Sequence, residues 1–135
     1  MSAVRPLGPL RWVIIALTVA TAAIHLWLAF QFPGQPDRVF ILNGLGYLVL
    51  LALLFLPIPA LQRYHGWITW ILIAYTAITV VGWVFLGLGS PLSGMAIDVG
   101  SPLTWLAYTD KIIEIALIVC LWLDWQQRRA AVARG

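Results

Sequence analysis

The chain has 135 residues, of which 62% are hydrophobic and 10% are charged. Soluble domains have about 45–50% apolar and about 25% charged residues, so this chain cannot hide its apolar surface inside itself in water. Its net charge of +3 is too small and too scattered for a nucleic-acid surface. The composition excludes a soluble enzyme, a disordered tail and a disulfide-stabilised secreted module. It predicts one integral membrane domain over residues 1–135.

Four apolar segments are long enough to cross a bilayer, which takes about 20 residues of helix. The second segment ends at Pro57 and Pro59, and the fourth begins with Ser101 and Pro102, a typical N-cap and first helical residue. The sequence therefore predicts an all-α, four-transmembrane-helix up-down bundle. In chain order, its spans are expected at about 12–32, 39–56, 66–88 and 102–126.

The connection between the third and fourth segments contains a short internal repeat. The sequence Gly-Ser-Pro-Leu at 89–92 recurs at 100–103. Since Ser-Pro is a common helix start, the first copy predicts a short interfacial helix in this loop. A structured cap over the bundle is the alternative interpretation.

The cations of the termini and loops lie mostly on one side of the predicted bundle. The opposite side has only Arg38, with Lys111 just inside the fourth span. Because cytoplasmic loops carry the excess of Lys and Arg, both termini are expected in the cytoplasm. The preference for Arg over Lys is typical of GC-rich prokaryotic genomes, so we expect a multi-pass protein of a prokaryotic plasma membrane (a cell inner membrane). The cations on the cytoplasmic side are Arg5, Arg11, Arg63, Arg128, Arg129 and Arg134.

Each predicted helix carries polar side chains at nearly one level, in the outer half of the bundle. The helical rise places them roughly 7–13 Å below the outer edge. Polar groups inside a span are costly and usually face the bundle interior, so we expect them to meet there. His25 and Glu114 are expected within a direct or water-mediated hydrogen bond. The candidate residues are His25, Asn43, Tyr47, Tyr75, Thr79, Asp110, Lys111 and Glu114, with Thr18 and Thr21 on the same helix face as His25.

Three interpretations of this polar layer stay open. It can be a structural hydrogen-bond network that fixes helix register. It can be a redox or ligand site, in which His25 binds a metal or haem iron or a quinone carbonyl and Glu114 carries the coupled proton. It can also be a proton or ion path with Glu114 as the titrating group. The cofactor is left unknown by the sequence, with haem, a metal and a quinone all open. Bis-His haem ligation within the chain fails, because His65, the other histidine, lies in the inner loop.

Several short segments resemble those of small, uncharacterised four-helix prokaryotic integral membrane proteins. They are Ile24-His25-Leu26, Leu-Asn-Gly-Leu-Gly-Tyr at 42–47, Tyr75-Thr76, and Asp-Lys-Ile-Ile-Glu at 110–114. The resemblance covers the spans and leaves both tails out. It implies a four-span bundle and no particular activity.

The predicted function follows from what the chain has and lacks. No soluble catalytic apparatus is visible, little of the chain lies outside the spans, and the surface is apolar enough to pack against other helices. The sequence therefore predicts a small integral membrane subunit or accessory protein of a larger membrane complex, and no enzyme activity. Its expected partners are the lipid bilayer and other membrane subunits or further copies of itself. The alternatives are a redox, metal- or quinone-binding protein and a proton or ion path.

Overall fold

The computed structural model describes residues 7–87, 89–94 and 97–135, and these residues form α-helices joined by turns. Within these ranges no strand occurs, so the all-α prediction is confirmed. The helices are α1 Pro9–Leu28, α2 Arg38–Phe55, α3 Pro59–Gln62, α4 His65–Leu86 and α5 Pro102–Arg134. The four-residue helix α3 lies in the connection between α2 and α4 and was not predicted.

Three of the helices, α1, α2 and α4, are long and apolar enough to cross a membrane. They make the chain a multi-pass membrane protein by length and composition. Helix α5 is longer, with 33 residues, but its apolar sequence is interrupted by charged side chains. Those side chains are Asp110, Lys111, Glu114 and Asp124.

Helix α1 ends at Leu28, about one turn before the boundary predicted at residue 32. The chain then turns through 29–35, where Gly34 has a φ of +102° that an L side chain rarely adopts. Asp37 starts α2, because its carboxylate accepts hydrogen bonds from the backbone N–H groups of Val39 and Phe40. The local turn chemistry therefore separates the first two helices more widely than the apolar pattern suggests.

Helix α5 begins where Ser101 and Pro102 predict it, although the Ser101 hydroxyl makes no capping hydrogen bond. It continues beyond residue 126 to Arg134. The short interfacial helix predicted in the preceding loop is not found in the described parts of that loop, 89–94 and 97–101, which form turns. Ser90 does not start a helix because its hydroxyl donates back to the Val84 carbonyl near the end of α4, at 2.8 Å.

The core lies between α1, α2, α4 and α5. Helix α1 packs against α2 and α5, while α4 packs against α5 and less extensively against α2. Large apolar side chains of each long helix stay exposed on the outside, as expected for surfaces that lipid covers. The buried apolar residues of the core are Ile14, Ala22, Tyr47, Leu54, Ile68, Leu72, Leu117 and Leu121.

Helices α1 and α2 approach each other closely at Gly44. A Cβ atom added there would lie 2.7 Å from Leu26 Cγ and 2.9 Å from the Ala22 carbonyl oxygen. The carbonyl oxygen belongs to the α1 backbone and cannot rotate away as the end of a side chain can. Small residues at such positions allow membrane helices to pack backbone against backbone.

We expect Gly44→Ala to lower the free energy of unfolding by about 1–3 kcal/mol, the usual cost of overpacking. Gly82→Ala in α4 is the matched control, because an added Cβ there meets nothing within 4 Å. The control should be neutral or slightly stabilising, since Ala favours helix more than Gly does. Unfolding in mixed micelles with increasing SDS measures both. Equal effects of the two variants would contradict a tight α1–α2 contact.

Candidate functional site

Helices α1, α2 and α5 bring polar and charged side chains together in the interior. All of them are buried, from 0% exposed for Glu114 to 7% for Lys111. We call this group the charged cluster. Its members are Thr21, His25, Tyr47, Asp110, Lys111 and Glu114.

Lys111 joins the two carboxylates of the charged cluster. Its Nζ lies 3.1 Å from Asp110 Oδ2 and also bonds Glu114 Oε2. All three side chains belong to α5, where the i,i+3 spacing places Lys111 and Glu114 on one face. The ammonium therefore stays inside the bundle, where it compensates charges that would be costly to bury alone.

The neighbouring helices donate hydrogen bonds to these carboxylates. The Thr21 hydroxyl of α1 donates to Asp110 Oδ1 at 2.8 Å. The Tyr47 hydroxyl of α2 donates to Glu114 Oε1, also at 2.8 Å. Each carboxylate is thus held by its own helix and by one further helix, which ties α1 and α2 to α5.

His25 faces both carboxylates from α1. Its Nδ1 lies 2.9 Å from the Thr21 carbonyl oxygen, and because a carbonyl only accepts, Nδ1 carries the proton and donates. Its Nε2 lies 3.8 Å from Asp110 Oδ2 and 4.0 Å from Glu114 Oε1. Both distances exceed a direct hydrogen bond, so His25 and Glu114 lie at ion-pair distance, and the contact is ionic only when the imidazole is protonated.

The other candidate residues, Asn43, Tyr75 and Thr79, lie beside the charged cluster. The Tyr75 hydroxyl donates to the Asn43 carbonyl oxygen at 2.9 Å, and the Thr79 hydroxyl donates to the Tyr75 carbonyl at 3.0 Å. The Tyr75 ring packs edge-on against Tyr47, with ring centroids 5.0 Å apart. Asn43 therefore contributes through its backbone, and Tyr75 supports the ring that reaches Glu114.

Sequence reasoning missed a second group of charges, at the other end of α5. Asp124 is buried, and its two oxygens accept from Arg11 Nε at 3.3 Å and Arg128 Nε at 2.8 Å. Burial lowers the pKa of the Arg128 guanidinium, and Asp124 opposes that shift. The i,i+4 spacing of Asp124 and Arg128 is a usable signal for this pair, whereas no local pattern in the sequence indicates Arg11 as its second partner.

The charged cluster has three potential metal ligands but also a competing cation. His25, Asp110 and Glu114 offer ligand atoms that all lie within 4.8 Å of one another. A metal ion would have to displace the Lys111 ammonium, which already contacts both carboxylates. A proton has no such requirement. Two carboxylates and one ammonium leave a net charge of −1 when His25 is neutral, and one proton cancels it.

Bis-His haem ligation within the chain is also disfavoured by the geometry. His65 begins α4 and shares a cavity with Arg128. Asp110, beside His25, is about 27 Å from Arg128 along the axis of α5. His25 therefore has no histidine partner among the residues that the structure describes.

Comparisons of the chain with protein-family models, curated proteins and solved structures give no match. The resemblance to small four-helix prokaryotic membrane proteins stays a prediction. Function is therefore inferred from the chain's own residues and their geometry.

We expect Lys111→Met to lower the free energy of unfolding by about 3–5 kcal/mol, because it leaves two neighbouring carboxylates buried without their cation. Adding Glu114→Gln removes one of those charges and keeps an oxygen that accepts from Tyr47. The double variant should therefore recover part of the lost stability. Unfolding in SDS-containing mixed micelles measures the complete cycle.

The matched control is Arg38→Met, which removes an exposed cation at the start of α2. It should change the free energy of unfolding by no more than about 0.5 kcal/mol. If the losses of Lys111→Met and Glu114→Gln simply add in the double variant, the two side chains are not energetically coupled. That result would contradict the charged cluster as a unit.

Proposed function

We propose that this chain is a small integral membrane protein that holds an exchangeable proton in the charged cluster. The observation that carries the proposal is the position of His25 Nε2, 3.8 and 4.0 Å from two carboxylates that share one ammonium. The net charge of the cluster is 0 when one proton is bound and −1 when it is not. Titratable carboxylates and histidines inside membrane helices are typical of proton relays.

Burial of the charged cluster favours a proton over a metal or sodium ion as the bound cation. The cluster lies inside the bundle, where an uncompensated charge costs roughly several kcal/mol even after the protein relaxes around it. A proton can bind to His25 Nε2 or to a carboxylate oxygen without moving Lys111. A metal or sodium ion would need the place that the ammonium occupies.

We also propose that α5 supplies a fourth span. Its charges turn inward, since Asp110 is 2% and Glu114 0% exposed. The residues between and after them turn outward and are apolar, with Ile112 69%, Ile115 52% and Val119 51% exposed. A helix whose charges are paired inside the bundle presents lipid with the same kind of surface as α1, α2 and α4.

The contacts of α5 support an alternating, up-down course. Arg11, near the start of α1, bonds Asp124 in the second half of α5, whereas Thr21 later in α1 bonds Asp110 early in α5. The two helices therefore run in opposite directions.

Helices α4 and α5 also run in opposite directions. The Trp70 ring lies 5.8 Å from Trp122, and the Trp83 ring lies 4.9 Å from Tyr108. Four alternating spans return the chain to the side on which it began. Because the cations concentrate on that side, we propose that both termini are cytoplasmic, in a prokaryotic plasma membrane.

A role as an accessory subunit is the second candidate. The connections between the long helices, 29–37, 56–64 and 87–101, are too short to hold a soluble domain. Large apolar side chains are exposed on each long helix, where other membrane subunits or further copies can pack. In such a complex, the charged cluster would donate its proton to a reaction that a partner subunit carries out.

We expect the charged cluster to bind and release one proton as the pH is varied. Nuclear magnetic resonance of ring-labelled histidine in nanodiscs reports it. The chain has two histidines, and His65→Gln assigns their signals. In Glu114→Gln the net charge with neutral His25 is already zero, so the pH-dependent change of the cluster should disappear.

The control for this titration is Asp98→Asn, an exposed acid in the loop before α5. It should leave the His25 signal as in the unchanged protein. A His25 signal that does not change with pH, or one that changes equally in Glu114→Gln, contradicts the proposal. A stoichiometric metal ion that elemental analysis finds in the purified protein, and that His25→Gln removes, would favour the metal alternative instead.

The topology is tested with a reporter that is active only in the cytoplasm. Fused after Gly135 it should be active, and fused after Asp98 it should be inactive, because these positions lie on opposite sides of a spanning α5. The reverse pattern would mean an inverted orientation. Equal activity at both positions would mean that α5 does not cross.

A further inference from the structure

A cavity of about 400 Å³, widely open to the surface, lies between α4 and α5 at the end of the bundle away from the charged cluster. We call it the basic cavity. It is lined by His65 and Gly66 of α4 and by Trp125, Arg128 and Arg129 of α5, among others. Neither the proposed proton site nor the proposed span of α5 assigns it a role.

The basic cavity has an excess of positive charge. Arg128 and Arg11 share the single carboxylate of Asp124, so one negative charge compensates two guanidinium groups. Arg129 lies over the Trp125 ring, 4.7 Å from its centroid, and no carboxylate of the described residues pairs with it. Stacking uses the face of the guanidinium, and its N–H edge stays available to an anion.

A buried imidazole nitrogen at the same cavity lacks a partner. His65 is 6% exposed, and its Nε2 makes no hydrogen bond within the described part of the chain. Its Nδ1 lies 3.3 Å from the Thr69 hydroxyl. This nitrogen is closed off from solvent, so an anion in the cavity contacts the guanidinium groups and not His65.

A second cavity, of about 440 Å³, adjoins the first and is lined by aromatic rings. We call it the tryptophan groove. Trp67 and Trp70 line it, and it shares Gly66 and Trp125 with the basic cavity. An anion-binding cavity that continues into an apolar groove matches a molecule with a charged head and an acyl chain. A free phosphate ion would leave the groove empty.

We propose that the basic cavity and the tryptophan groove together bind one anionic phospholipid. Its phosphodiester contacts Arg128 and Arg129, and its acyl chain lies along the tryptophan groove. Tryptophan prefers the depth at which headgroups meet acyl chains, and basic pockets between membrane helices recognise anionic headgroups. The site rests on membrane insertion of the chain and is independent of the proton in the charged cluster.

The test uses the full chain in a nonionic detergent and measures binding of short-chain phosphatidylglycerol by native mass spectrometry. Phosphatidylcholine of the same chain length and inorganic phosphate are the comparison probes. We expect phosphatidylglycerol to bind at least about tenfold more tightly than phosphatidylcholine, and inorganic phosphate not to compete at equal concentration. Glu114→Gln should bind it as the unchanged protein does, which separates this site from the proposed proton function.

Arg129→Gln should weaken phosphatidylglycerol binding about fivefold to tenfold. It leaves both ion pairs of Asp124 intact, so the fold is expected to survive, whereas Arg128→Gln removes one of them. Arg134→Gln is the matched control, because Arg134 ends α5 and does not line the cavity. It should leave the affinity unchanged.

Three results would overturn the proposal. An equal loss in Arg134→Gln would mean that the lipid responds to surface charge in general. Equal binding of phosphatidylcholine would mean that only the acyl chain is recognised. Competition by inorganic phosphate at the same concentration would mean that the cavity takes a free anion and not a lipid.

Discussion

The burial of Lys111 between Asp110 and Glu114 is the constraint on which the rest of the structure depends. Buried charges are tolerated only when they are paired, so these three side chains fix the rotation of α5 about its axis. Thr21 and Tyr47 then donate hydrogen bonds to the same two carboxylates. One group of charges therefore sets how α1, α2 and α5 align. Gly44, at the contact between α1 and α2, allows these two helices to approach closely.

The charged cluster was accessible from the sequence because two simple rules locate its members. The cost of burying polar groups turns them inward, and the fixed rise of the helix gives their depth. Together these rules put His25, Tyr47 and Glu114 at one level, and the structure brings these three side chains together. The rules cannot give atomic detail. They do not show that Asn43 takes part through its backbone carbonyl, or that His25 stays 4.0 Å from Glu114 while Thr21 reaches Asp110.

The features that the sequence did not reveal depend on contacts between distant or locally competing groups. Arg11 and Asp124 are 113 positions apart, and only the packed helices bring them together. The Ser-Pro pair at 90–91 has the same residues as the pair that starts α5. Its serine bonds the Val84 carbonyl instead, and so completes the end of α4 rather than beginning a new helix. A Ser-Pro pair is a reliable helix start only when no nearby group competes for the serine hydroxyl. Here the Val84 carbonyl oxygen competes for the hydroxyl of Ser90.

At each end of the bundle, a group of charged side chains is not fully compensated by opposite charges, and the sign of the excess charge differs between the two ends. In the charged cluster, the acids exceed the single ammonium by one charge, and a proton is the smallest cation that restores neutrality. Around the basic cavity, the guanidinium groups of Arg11, Arg128 and Arg129 exceed the Asp124 carboxylate, so the missing partner there is an anion. A bilayer supplies anions only at its surface, in the headgroups, and the cavity lies at a helix end, beside the tryptophans that favour that depth. The proposed proton site and the proposed lipid site therefore both follow from charge that the chain leaves uncompensated, which is buried in the first and partly exposed in the second.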